Sequence, residues 1–176
     1  DIYSYYDVHR YGLELAVESV NYYVPAAKDS LLVETTSSRG IGAFWRLDSR
    51  DRAFNPSKGM QTNITYRLHQ SERSGWNNAL EADHTQYFGL VPRWTCALGV
   101  HLCSLADSSS VAYETYRLGG HNSLRRHRED EFSSWRSGWP SLELRHLLRS
   151  PARIYLSYDH GLLTLSKKRL AADLTA

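Results

Sequence analysis

The chain has 176 residues, enough for one sizeable domain and short for two. Its 21 Lys+Arg against 19 Asp+Glu leave a charge of +2 with histidine neutral, and the basic run Arg125–Arg128 is cancelled at once by Glu129, Asp130 and Glu131, so no nucleic-acid partner is indicated. No stretch reaches about 18 uncharged apolar residues, which excludes a transmembrane helix but leaves a membrane β-barrel open, since its strands need only about ten alternating residues.

Period two organises the chain. A short strand is expected near Tyr3–Val8, and then Tyr11, Leu13, Leu15 and Val17 alternate with Gly12, Glu14 and Glu18. A connection from Pro25 to Ser30 leads to a strand near Leu31–Thr36, and a separate one sets Ile41, Ala43, Trp45 and Leu47 against Gly42, Phe44, Arg46 and Asp48. Asn55-Pro56-Ser57-Lys58-Gly59 carries turn chemistry. Across Met60–Gln70 the even positions Met60, Thr62, Ile64, Tyr66 and Leu68 are mostly apolar and the odd ones polar, so this segment is expected to form a hairpin with Gly40–Asp48.

Ser74-Gly75 marks the next turn. Asn77–Tyr87 alternates less cleanly, with Glu81 and Asp83 on one side and His84 beside Leu80 and Ala82 on the other. Pro92–Cys103 sets Trp94, Cys96, Leu98, Val100 and Leu102 against Arg93, Thr95, Ala97, Gly99 and His101. A long polar loop is expected from about Ala106 to Ser137. Beyond it Leu142 and Leu144 oppose Ser141, Glu143 and Arg145, and Ile154, Leu156 and Tyr158 oppose Arg153, Tyr155, Ser157 and Asp159, so both carboxylates share the polar face. That makes roughly eight strands, with helical character confined to Lys167–Asp173. Pro140 lacks a ladder donor and is expected at an edge or a strand start.

The 12 Tyr and 5 Trp suit a bilayer interface better than a dry core. Cys96 and Cys103 have odd separation in one strand and therefore opposite faces, and both read as small apolar residues. The eight histidines show no paired metal spacing, and no nucleophile-elbow sequence is present, so neither catalytic residues nor a cofactor are expected. Alternation leaves two solvents open for the apolar face. A soluble lipocalin-like barrel would turn Trp45, Trp94 and the leucines inward around a small apolar ligand, whereas a membrane barrel would turn them outward.

Four motifs in order resemble those of one family. Gly119-Gly120-His121-Asn122-Ser123-Leu124-Arg125 is similar to the GGxxSLRGY loop of the outer-membrane β-barrel assembly family, the BamA/TamA-type surface-antigen barrels. Asp48-Ser49-Arg50-Asp51 through Phe54-Asn55-Pro56-Ser57-Lys58-Gly59 resembles that family's DTRDNPFNPTRG periplasmic hairpin. Ser157-Tyr158-Asp159-His160-Gly161 resembles its FxDxG strand, and Ser141-Leu142-Glu143 its preceding acidic strand.

The resemblance implies an all-β, antiparallel, up-and-down transmembrane barrel with a long loop directed into the lumen. It implies a latch in which Arg125 meets Glu143 and Asp159, a loop motif of Gly119, Gly120, Ser123 and Leu124, and a turn motif of Asp48, Asp51, Asn55, Pro56 and Gly59. The implied location is the bacterial outer membrane and the implied role is folding and inserting other barrels. The partners would be outer-membrane lipid and nascent outer-membrane proteins, with periplasmic or lipoprotein subunits besides. Polypeptide export by a related barrel is the alternative. Arg126 replaces the family's glycine, His127 its following aromatic and Ser157 the first aromatic of FxDxG. The family's last strands and POTRA domains are missing, so residues 1–176 are expected to form one partial barrel domain.

Overall fold

Alternation with short turns favours local antiparallel pairing, because each tight turn delivers the next strand beside the last. The computed structural model describes residues 2–6, 8–26, 30–71, 75–106, 115–120, 123–125, 127–149 and 152–165, which form strands without helices. Residues 27–29, Ser74, Arg126 and the expected helix Lys167–Asp173 lie outside the described residues. The strands are β1 (Ile2–Tyr6), β2 (His9–Ala26), β3 (Ser30–Asp48), β4 (Gly59–Ser71), β5 (Gly75–Val91), β6 (Trp94–Leu105), β7 (Tyr116–Leu118), β8 (Phe132–Arg149), β9 (Ala152–Asp159) and β10 (Leu162–Leu165). They build one open sheet in the order β1-β2-β3-β4-β5-β6-β8-β10, with β7 and β9 also paired to β8. The expected hairpin is present, with Asp48 opposite Gln61 and Gly40 opposite His69.

Several boundaries differ from the sequence reading. The segments near Leu31–Thr36 and Ile41–Asp48 are one strand, because β2 pairs with β3 without interruption from Ser30 to Leu47. The long loop ends at Glu131 rather than Ser137, since Phe132–Ser134 pair with β7 and Ser134–Gly138 with β10. Arg93 sits with φ 71° in a turn between β5 and β6, so it is not part of a strand face. Pro140 lies in mid-strand, opposite Val100 of β6. Its carbonyl accepts the His160 amide at 3.2 Å, and the missing return donor falls where β9 and β10 separate at His160 and Gly161. The proline thus interrupts its neighbour instead of ending its own strand.

The two faces of the wall meet different environments. Leu15 (78% exposed), Val17 (88%), Leu98 (45%) and Leu156 (74%) stand on the apolar face with nothing packed over them. Glu14, Arg67, Glu81, Glu143 and Asp159 share the opposite face and pair there. A soluble barrel would bury that apolar face, so the lipocalin-like placement is set aside: Trp94 stands on the exposed side against His146, ring centroids 4.5 Å apart. Charged inside and apolar outside is the pattern of a transmembrane barrel wall. The wall also has two unlike ends. Residues 49–58 and 92–93 connect strands at one, and β6 ends at Leu105 and β8 begins at Phe132 at the other.

Candidate functional site

The loop between β7 and β8 returns onto the polar face of the sheet. Gly119 (φ 124°) and Gly120 (φ 84°) turn it, and both occupy backbone conformations that a side chain would strain; a Cβ would also strike the Arg128 carbonyl at Gly119 and the Glu129 carboxylate at Gly120. Ser123 Oγ accepts the Gly119 amide at 2.7 Å and donates to the Gly119 carbonyl at 3.0 Å. The Gly120 amide donates to the His127 carbonyl at 3.1 Å, and the His127 amide to the Leu124 carbonyl at 3.0 Å. His127 also packs edge-on against Phe132.

Leu124 is the apolar anchor. It is buried with Leu118 and Trp139, and Cys103, Phe132 and Leu163 pack around them. Gly161 makes room for it: a Cβ there would lie 2.8 Å from Leu124 Cδ1. Next to this anchor, Arg125 donates from Nε and Nη2 to the two oxygens of Asp159, both at 2.8 Å, and from Nη1 to Glu143 Oε2 at 2.9 Å. Glu143 is buried and takes a second cation, Arg145 Nε, at 2.6 Å on its other oxygen. The fork to Asp159 raises the Arg125 guanidinium further above its ordinary pKa, against the opposing effect of burial, so its charge is permanent. Two strands and one loop therefore converge: β8 supplies Glu143 and Arg145, β9 supplies Asp159, and the loop supplies Arg125.

The turn motif gathers at the other end. Asp51 Oδ1 accepts the amides of Ser57 (2.8 Å) and Lys58 (3.1 Å), and Oδ2 accepts the Ser57 hydroxyl at 2.6 Å. Partial burial works against ionisation of Asp51, but these bonds and the nearby Arg52 charge outweigh it and hold the carboxyl below its ordinary range. Asp48 receives the Arg50 guanidinium on both oxygens, at 2.8 and 2.6 Å. Asn55 adopts φ 49° and accepts Arg153 Nη1 of β9 at 2.7 Å, Pro56 is buried, and Gly59 opens β4 with φ 95°.

The sequence reading gave several participants no role in a site. Arg145, Arg153 and Gly161 complete the two motifs, and Arg67 donates to Glu14 (2.7 Å) and Glu81 (2.9 Å) as a second hub. Register carries the signal that finds this hub: Glu14 lies opposite Gly42, and Gly42 opposite Arg67, so only a glycine separates the ion pair.

The fold and this lumenal loop together define an antiparallel up-and-down β-barrel wall of the transmembrane type, open at both sides among the described residues. The chain is similar to the crystal structure of BamA from Haemophilus ducreyi lacking POTRA domains 1–3, with a TM-score of 0.73 and 16% sequence identity over 96% of this chain and 41% of that one. It has the fold of the BamA barrel and spans well under half of that chain's length. No protein-family model and no curated protein sequence matches it.

Proposed function

We propose that the chain is part of an outer-membrane β-barrel of the BamA/TamA type, and that its activity is the folding and insertion of other outer-membrane barrels. The observation that carries this reading is the Arg125 latch to Asp159 and Glu143, on the polar face of a wall whose other face is apolar and exposed. Arg125 is the residue that fixes the loop, Leu124 its anchor, and Gly119, Gly120 and Ser123 the geometry that presents both. Insertion by such a barrel is strand addition: an unpaired edge offers N–H and C=O groups to an incoming strand, and no bond is made or broken. Residues 1–176 act as one barrel domain in this reading. Its location is the bacterial outer membrane, and its partners are lipid, nascent barrel proteins and assembly subunits.

The test is reconstitution. Liposomes carrying the protein are given an unfolded outer-membrane barrel protein, and its folding is followed by heat-modifiable electrophoretic mobility. The reading expects faster folding than in empty liposomes and a loss of that gain in Arg125→Ala. Equal rates with and without the protein contradict it. Passage of an unfolded polypeptide into the vesicle lumen without its folding into the bilayer would favour export instead.

A further inference from the structure

The end of the wall away from the loop carries a cavity of about 420 Å³, between the turn at residues 52–58, the β5–β6 connection and the ends of β8 and β9. Five cationic side chains line it, Arg52, Lys58, Arg93, Arg145 and Arg153, and no carboxylate does. The acids nearby are already committed. Asp51 is 3.8 Å from Arg52 but accepts from Ser57 and Lys58, and Glu143 divides its two oxygens between Arg145 and Arg125. Arg153 donates to Asn55, a neutral partner. Among the described residues Lys58 and Arg93 have no ion pair. Among the described residues the charges of Lys58, Arg93 and Arg153 are therefore uncompensated.

The same cavity is lined by apolar residues that belong to the exposed face. Leu90 (57%), Val91 (60%) and Trp94 (38%) stand exposed beside the cations. In transmembrane barrels the short connections face the periplasm and the long loops the exterior, so this rim belongs at the inner interface of the bilayer. A ligand that suits it is anionic at one end and apolar at the other, with the charge set where the strands leave the hydrocarbon.

We propose that this cavity holds the phosphate headgroup of an anionic phospholipid, with the acyl chains lying along Leu90, Val91 and Trp94. The inference rests on the membrane-wall reading. Guanidinium and ammonium groups bind phosphate oxygens through charge-assisted bonds, and here Arg52, Lys58, Arg93 and Arg153 approach from the turn, the β5–β6 connection and β9. The bound lipid would cement the turn to β9 where Asn55 and Arg153 already meet.

The experiment titrates the purified protein, inserted in phosphatidylcholine nanodiscs, with short-chain phosphatidylglycerol, with short-chain phosphatidylcholine and with inorganic phosphate, reading bound lipid by native mass spectrometry. Phosphatidylglycerol is expected to be retained in preference to phosphatidylcholine and to resist competition by inorganic phosphate. Each cation near the membrane surface contributes about fivefold, so Lys58→Gln with Arg93→Gln is expected to weaken phosphatidylglycerol retention by about 25-fold and leave phosphatidylcholine unchanged. Arg52→Gln, a change in the exposed turn, gives a second reading of about fivefold if the double variant folds poorly. Equal retention of the two lipids, or a double variant that folds and retains phosphatidylglycerol like the parent, overturns the proposal. Competition by inorganic phosphate at equal concentration overturns the lipid assignment. A protein that enters no nanodisc overturns the membrane-wall reading, and the lipid site with it.

Discussion

Two arginines on the polar face make the same chemistry and do different work. Arg67 and Arg125 each bridge two carboxylates, Glu14 with Glu81 and Asp159 with Glu143, at 2.7–2.9 Å. Arg67 belongs to β4, which the backbone ladders of β3 and β5 already fix on both sides. Its ion pairs add to a position that hydrogen bonding has settled. Arg125 belongs to a loop whose backbone bonds are local, so its three side-chain bonds, with the Leu124 anchor, set where that loop lies. An ion pair matters most where nothing else positions its owner.

The largest effect is expected from Arg125→Ala. Asp159 would lose both of its bonds to the guanidinium while Glu143 keeps Arg145, so loop docking should weaken by about 3 kcal/mol. Protease cleavage after the exposed Arg128 in proteoliposomes would report it, and unchanged protection would break the comparison. Gly161→Ala should cost about 1–2 kcal/mol by pushing Leu124 from its place, read in the same assay. Arg67→Ala should cost under about 1 kcal/mol in thermal unfolding, because its side chain is more than a third exposed, and should leave loop cleavage unchanged. If Arg67→Ala opens the loop, the distinction between the two hubs fails.

The smallest effect is a pH dependence at the turn. The Asp51 pKa in the folded chain lies below its ordinary value of 3.8, so its stabilising bonds are fully present above that value and are lost as pH falls through the lower folded one. Hydrogen exchange at the Ser57 and Lys58 amides should therefore quicken only below about pH 4 once corrected for intrinsic rates. Acceleration already at pH 6 would assign their protection to something other than Asp51.

Strand parity was legible where one side of a strand is lipid-facing and the other polar, as in Met60–Gln70, whose alternation survives into β4 unchanged. It failed where that contrast lapses. Ser37, Ser38, Arg39 and Gly40 blur β3 into two apparent strands, and Phe132–Gly138 lies partly under the loop and carries no clean alternation. Placing Glu143 and Asp159 on one face needed only parity, but their meeting with Arg125 came from the family resemblance, because the path of a long loop is not written in local periodicity. The Arg67 hub was hidden for another reason. Glu14, Arg67 and Glu81 stood on the polar face, yet their contact depends on cross-strand register and on Gly42, where a Cβ would lie 3.1 Å from Arg67 Cγ.

A double-mutant cycle between Arg125→Ala and Asp159→Ala, read as the free energy of loop opening from hydrogen exchange at Leu124 and Arg125, tests the central claim most directly. If these two side chains hold the loop through each other, each single change opens it and the double change is little worse than either, with a coupling of about 1.5–3 kcal/mol. Simple additivity of the two losses would show that the guanidinium and the carboxylate act separately, and that the loop is docked by something else.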